Sequence, residues 1–224
     1  MLEEGPSRHL AAALRLQPGS AVVLFNGRGG EYRAEIIKLT RKSVTVAVAS
    51  FDSRDRESTL PVVLGLAVSR GERMDYAIQK CTELGVAEVF PLQTERTEVK
   101  LRGDRLQRKR EHWQQVAISA CEQCGRNRPP RVHPLQNLAG WLGSTTASCR
   151  LVLHHRSDSG LAGLPEPGEV ALLIGPEGGL APAEIEAAEA AGFQALTLGP
   201  RVLRTETAPV AALSVIQFLW GDMG

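Results

Sequence analysis

Nowhere in the 224 residues does an apolar run approach the length needed to span a bilayer. The opening stretch MLEEGPSRHL has neither the apolar core of a signal peptide nor the arginine- and serine-rich character of a transit peptide. The cytoplasm is therefore the expected location, with no membrane partner. Cysteine is scarce, at four residues. Cys121 and Cys124 form a C-x-x-C, but Cys81 and Cys149 are isolated, so the second ligand pair of a zinc site is missing and no metal is expected. The pair also ends an apparent helix instead of following a strand, which speaks against a thioredoxin-like redox centre and for reduced packing cysteines. A phosphate-cradling loop with Gly-Lys-Ser/Thr is absent too, which removes a nucleotide-dependent phosphotransferase.

What is present is an ordinary globular balance, with 43% hydrophobic and 23% charged residues. The net charge of +1 conceals an uneven distribution. Residues 96–131 hold 10 basic against 4 acidic side chains, whereas residues 151–224 hold 3 against 9. A basic block beside an acidic one is the pattern of a localised phosphate-binding surface, and equally that of a solvated helix face.

The hydrophobic rhythm divides the chain. Residues 7–15 predict a short helix with Ser7 as its cap. Closely spaced strands follow at residues 21–25, 32–39 and 44–48, with an Asn26-Gly27 turn and a second turn over residues 40–43, which reads as a small β-barrel or meander. The charged, aperiodic stretch 52–58 is the expected linker. From Pro61 onward strands and helices alternate: strands at 62–68, 86–92, 151–153, 170–174 and 195–198, and helices at about 74–84, 104–121, 183–191 and 208–220. That alternation predicts a parallel sheet covered by helices. The final helix is apolar on nearly all sides, which suggests burial against a partner subunit.

Two loops carry the chemical signal. Leu172-Leu-Ile-Gly175-Pro-Glu-Gly-Gly179-Leu180 follows a buried strand, and its glycines permit positive φ and close approach of backbone N–H groups to a ligand. Open parallel sheets bind ligands at this carboxyl end. The second loop, Leu198-Gly-Pro-Arg-Val-Leu-Arg-Thr-Glu-Thr-Ala208, also follows a strand and carries Arg201, Arg204 and Glu206 where polar groups more often serve function than packing.

These two loops, with Ser69-Arg-Gly-Glu-Arg-Met74, Ile78-Gln-Lys-Cys-Thr-Glu-Leu-Gly85, Thr94-Glu-Arg96 and Glu122-Gln-Cys-Gly-Arg126, resemble the bacterial small-subunit ribosomal RNA uridine-N3 methyltransferase family, of the trefoil-knot (SPOUT) class. The resemblance covers nearly the whole chain. It implies an α/β fold: a PUA-like β-barrel over residues 1–58 that docks RNA, then a knotted methyltransferase domain over residues 59–224 whose parallel sheet contains a deep trefoil knot. It implies S-adenosylmethionine as methyl donor, held by Leu153, His154, Leu173, Gly175, Glu177, Gly179, Leu198, Gly199, Val202, Leu203, Thr205 and Ala208. It implies ribosomal RNA or the small ribosomal subunit as substrate, and a homodimer. Uridine N3 carries a weakly acidic proton. Arg204 is the implied stabiliser of charge on the uracil, and Glu206 or Glu177 the implied proton acceptor, with the choice open. RNA phosphates are assigned to Arg70, Arg73, Arg96, Lys100, Arg102, Lys109, Arg110, Arg126 and Arg128, together with Arg105. A non-catalytic RNA-binding module, or a knotted enzyme acting on another RNA, is the alternative.

Two departures from the family pattern stand out. Family members usually begin with a further basic strand ahead of the position of Met1, so an incomplete barrel is expected, and the helix after the first loop has Ala181 at its cap position where a serine is usual, although Glu184 remains three residues on.

Overall fold

The computed structural model describes residues 1, 2, 5, 7, 10, 16–40, 43–100, 102–154, 160, 161 and 163–224. The helix expected over residues 7–15 lies largely outside the described residues. Ser7 itself is buried, and its hydroxyl accepts from the Val44 N–H at 3.1 Å.

The described residues form two compact units, Met1–Arg56 with Arg126–Arg128, and Glu57–Gly125 with Pro129–Gly224. The first contains an antiparallel meander of β1 (Ala21–Leu24), β2 (Glu31–Leu39) and β3 (Val44–Asp52), in the order β1-β2-β3. Alternation along β2 buries Ala34 and Ile36 and leaves Arg33, Glu35 and Ile37 exposed, as expected for a sheet with one covered face.

The second unit is built on seven parallel strands. These are β4 (Val62–Ala67), β5 (Glu88–Gln93), β6 (Arg131–Val132), β7 (Gln136–Asn137), β8 (Cys149–Leu153), β9 (Val170–Ile174) and β10 (Gln194–Leu196). Their order is β10-β8-β9-β4-β5-β6, with β7 also paired to β5. Among the described residues, five helices cover the sheet: α1 (Arg73–Glu83), α2 (Asp104–Cys124), α3 (Leu138–Ser144), α4 (Pro182–Ala190) and α5 (Thr207–Trp220).

β9 shows why the strands read as continuous apolar runs. Val170, Leu172 and Ile174 enter one core with Met74 and Ile78 of α1, Trp113 of α2 and Leu213 and Ile216 of α5. Ala171 and Leu173 enter a second core with Trp141 of α3, Ala188 of α4 and Phe193. Each fully buried Leu or Ile contributes roughly 1.5–3 kcal/mol, so a polar side chain on either face would be costly. At the centre, a Cβ on Gly65 of β4 would lie 2.5 Å from the Trp141 ring. Only glycine leaves room for that ring against the strand.

Several boundaries differ from the sequence expectation. α2 continues three residues beyond Cys121 and ends where Gly125, at φ 81°, donates its N–H to the Cys121 carbonyl. β6, β7 and α3 carried no clear periodic signal. Part of the apolar final helix is covered by its own chain: Leu213 and Ile216 are buried in the core, and of its apolar side chains Val215, Phe218 and Leu219 stand exposed. All four cysteines are free thiols, and burial pushes that of Cys81 up to about 12.

Candidate functional site

The carboxyl ends of β8, β9 and β10 open into a cleft of about 590 Å³. Its floor is apolar, with Leu153, Ile174, Leu180, Ile185, Leu196 and Leu198, and its mouth is charged, with Arg73, Arg96, Glu177, Arg201, Arg204 and Glu206.

The first loop is folded tightly on itself. The Gly179 N–H donates to the Pro176 carbonyl at 2.8 Å, and Gly179 has φ 68°, a conformation costly for any residue with a Cβ. A Cβ on Gly175 would come within 3.0 Å of the Leu180 nitrogen, and one on Gly178 within 3.3 Å of the Arg96 Cβ. Arg96 also donates to the Gly178 carbonyl at 3.0 Å. Glu184, in the first turn of α4, binds twice. One oxygen accepts from the Ala181 N–H at 2.9 Å and the other from the Glu95 N–H at 2.8 Å. The loop is thereby tied both to its own helix and to the segment after β5. Ala181 is the residue before the helix, as the sequence predicts; its methyl group can accept nothing, so only the Glu184 half of the capping box exists.

The second loop turns at Gly199, where φ is 74°. It is joined to the first by the Thr205 hydroxyl, which donates to the Gly175 carbonyl at 2.9 Å. β8 and β10 are joined at the cleft edge by His154, whose N–H donates to the Leu196 carbonyl and whose carbonyl accepts from the Thr197 hydroxyl.

At the mouth, Glu177 Oε1 accepts from the Arg70 N–H and from the Arg73 guanidinium, both at 2.8 Å. Partial burial pushes the Glu177 carboxyl up, but those two donors, a backbone N–H of its own and the Arg73 charge outweigh it and hold the group below the usual carboxylate range. Arg73 also reaches the second loop, with Nε 3.8 Å from Glu206 Oε2. Arg204 is exposed and makes no ion pair among the described residues, so the carboxylate beside it is paired to Arg73 instead.

Of the residues the resemblance assigns to the donor, eleven line this one cleft: Leu153, His154, Gly175, Glu177, Gly179, Leu198, Gly199, Val202, Leu203, Thr205 and Ala208. Leu173 does not. Its side chain points into the second core at 0% exposure, because strand alternation gives the cleft to Ile174. The cationic residues separate further. Arg73 and Arg96 belong to the cleft mouth, and Arg70 pairs with Glu98. Arg110 donates to the Val132 carbonyl, and Arg128 pairs with Asp55 at 3.2 Å. Arg126 is only 5% exposed, which removes it from any phosphate surface. Lys100, Arg102, Arg105 and Arg108 carry no ion pair among the described residues and are exposed. Lys109 is half-buried.

Among the described residues, no group of three or more His, Cys, Asp or Glu side chains is placed to hold a metal ion, and no helix is long and apolar enough to cross a membrane.

A doubly covered parallel sheet with a glycine-hinged cleft at its carboxyl ends, preceded by a small antiparallel sheet, defines the class. Residues 56–217 match the RNA methyltransferase domain family, and residues 4–49 match the RNA methyltransferase PUA domain. The chain belongs to the ribosomal RNA small subunit methyltransferase E family. It is 32% identical to the family member from Buchnera aphidicola subsp. Schizaphis graminum, over 99% of this chain and 91% of that one. It is 31% identical to the member from Bacillus subtilis, over 97% and 92%. Among solved structures, a ribosomal RNA small subunit methyltransferase E from Neisseria gonorrhoeae, bound to S-adenosylmethionine, superposes with a TM-score of 0.92 at 37% identity, covering 100% of this chain and 92% of that one. A putative methyltransferase from Legionella pneumophila in complex with the same cofactor superposes at 0.96, with 41% identity over 99% and 92%.

Proposed function

We propose that the chain transfers a methyl group from S-adenosylmethionine to N3 of a uridine in small-subunit ribosomal RNA. The observation that carries this reading is the cleft itself. Its glycine loops and apolar floor lie in a chain similar over its whole length to proteins solved with that cofactor bound. The cleft fits the donor on its own terms. Its size is that of a small-molecule site, its floor is apolar enough for an adenosine, and Glu177 offers negative charge to a cation. When bound there, the donor supplies a methyl group from a positively charged sulfur.

The residues of the chain hold and orient. Gly179 and Gly199 set the loop shapes, and the Thr205–Gly175 bond fixes their spacing. Placing an acceptor in line with the methyl group supplies a large part of the acceleration. N3 lies on the pairing edge, so the uridine must enter the cleft unpaired or flipped out. Arg204 neutralises charge developing on the uracil oxygens, a role supported by its exposed position on the cleft with no ion pair among the described residues. Lys100, Arg102, Arg105 and Lys109 grip RNA phosphates, and the N-terminal sheet contributes to docking. The reading includes a trefoil knot in the segment that bears both loops and a cytoplasmic location. It also includes a homodimer, supported by the exposed apolar side chains Val215, Phe218 and Leu219 on α5.

The test is a map of methylated uridines in small-subunit RNA from cells lacking the protein, repeated after incubation with purified protein and S-adenosylmethionine. One N3-methyl mark should vanish in the first sample and return in the second. An unchanged map together with tight RNA binding would leave a non-catalytic RNA-binding module, and a mark lost from a different RNA would redirect the substrate.

A further inference from the structure

The two carboxylates at the cleft mouth are held in different ways. Glu177 spends one oxygen on two donors at 2.8 Å, the Arg70 N–H and the Arg73 guanidinium. Glu206 receives no hydrogen bond among the described residues. Its nearest cation is Arg73 Nε at 3.8 Å, beyond hydrogen-bonding range, and its side chain is 20% exposed. Its backbone is nevertheless fixed. The Arg204 carbonyl accepts from the N–H groups of Thr207 and Ala208, and Thr205 is tied to Gly175. Arg73 comes from a third segment, the start of α1, so one guanidinium spans the acid of the first loop and the acid of the second.

We propose that Glu206 accepts the N3 proton, and that Arg73 and Glu177 are positioning residues that hold Glu206 at the cleft mouth. The assignment rests on the reading under Proposed function and resolves the choice that the sequence leaves open. Hydrogen bonds and a cation that favour the charged form of a carboxylate make it a weaker acceptor, and Glu177 carries all of these. Glu206 meets the same guanidinium only at 3.8 Å, accepts no hydrogen bond among the described residues, and lies two residues from Arg204, in the same loop. As the bond from N3 to the methyl carbon forms and the bond from sulfur breaks, the electron pair of the broken bond stays on sulfur. The N3 proton passes to a Glu206 oxygen and then to solvent, so one proton is released for each methyl group moved.

The test uses the full-length protein in four forms: wild type, Glu206→Gln, Glu177→Gln and Arg73→Gln. Without any ligand, carboxyl titration by NMR should show Glu177 below the usual carboxylate range in wild type and shifted up in Arg73→Gln. By calorimetry, Glu206→Gln should bind S-adenosylmethionine as wild type does, while Glu177→Gln binds it more weakly. In single-turnover transfer to small-subunit RNA from cells lacking the protein, Glu206→Gln should lose about 100-fold or more. Glu177→Gln should keep the rise in rate with pH on the acid side, and Glu206→Asp should recover part of the loss. A Glu206→Gln protein with wild-type rate, or an acid limb lost only in Glu177→Gln, overturns the assignment of the acceptor. An unmoved Glu177 titration in Arg73→Gln overturns the positioning role. A wild-type protein that binds the donor but transfers nothing to RNA overturns the proposed function itself, and the assignment with it.

Discussion

Gly179 and Gly199 show how much a single residue can decide. A Cβ at either position meets no protein atom within 4 Å, so the cost of a side chain there comes from φ values of 68° and 74°. Gly199→Val should strain the loop by roughly 1–3 kcal/mol or make it refold. Each 1.4 kcal/mol corresponds to about tenfold in affinity, so S-adenosylmethionine binding measured by calorimetry should fall by about that factor or more. Glu177 makes a second prediction at this scale. Its carboxyl is held below the usual range, so its contribution to stability is complete above the ordinary Glu value and lost as pH falls through the lower folded value. The difference in melting temperature between wild type and Glu177→Gln should therefore be constant near neutral pH and vanish only in acid. A difference that grew as pH fell would contradict the Arg70 and Arg73 contacts. The residue types at this site were legible in the sequence because glycines and charges clustered after strands. The parity that turns Leu173 into the second core and Ile174 toward the first core and the cleft needed the strand's placement between two cores, and the burial of Arg126 needed the contacts that group residues 126–128 with the N-terminal unit.

At the scale of elements, α4 lacks half of its cap. Ala181 has the extended backbone of a capping residue, φ −70° and ψ 154°, but no side-chain acceptor. Ala181→Ser should stabilise the protein by about 0.5–2 kcal/mol, seen as a rise of roughly 2–4 °C in melting temperature per kcal/mol. A decrease would mean that the buried hydroxyl finds no N–H to satisfy it. α5 separates two substitutions that look equivalent in the sequence. Ile216 is 0% exposed, so Ile216→Glu should prevent folding, because it buries an unpaired charge. Phe218 is 63% exposed, so Phe218→Glu should fold normally and, by light scattering, convert dimers to monomers. A wild-type protein that scatters as a monomer would remove the dimer from the reading. The long helices and buried strands could be read from periodicity because each spans several repeats. β6 and β7 have two residues each, too few for any period to show, and α3 is only seven residues long.

At the scale of the whole molecule, the division into a short antiparallel sheet and a parallel sheet followed from the change of rhythm near residue 60. The grouping of Arg126–Arg128 with the N-terminal unit did not, since a three-residue excursion leaves no compositional trace. Those residues are fixed by contacts remote in sequence: the Asn127 amide donates to the Arg54 carbonyl at 2.7 Å, and Arg128 packs over Gly29. The strand order carries a consequence for how the protein comes into being. β4 is paired to β5 soon after it in the chain, but its other neighbour is β9, with Val62 set beside Val170. A growing polypeptide that has emerged from the ribosome only as far as α3 holds half a sheet with a bare apolar edge, the kind of edge that recruits stray strands. Nothing before Val170 can close it, and both cleft loops are translated later still. Nascent chains arrested before residue 170 should thus be digested by protease or held by chaperones, and protection should arrive in one step once β9 clears the exit tunnel.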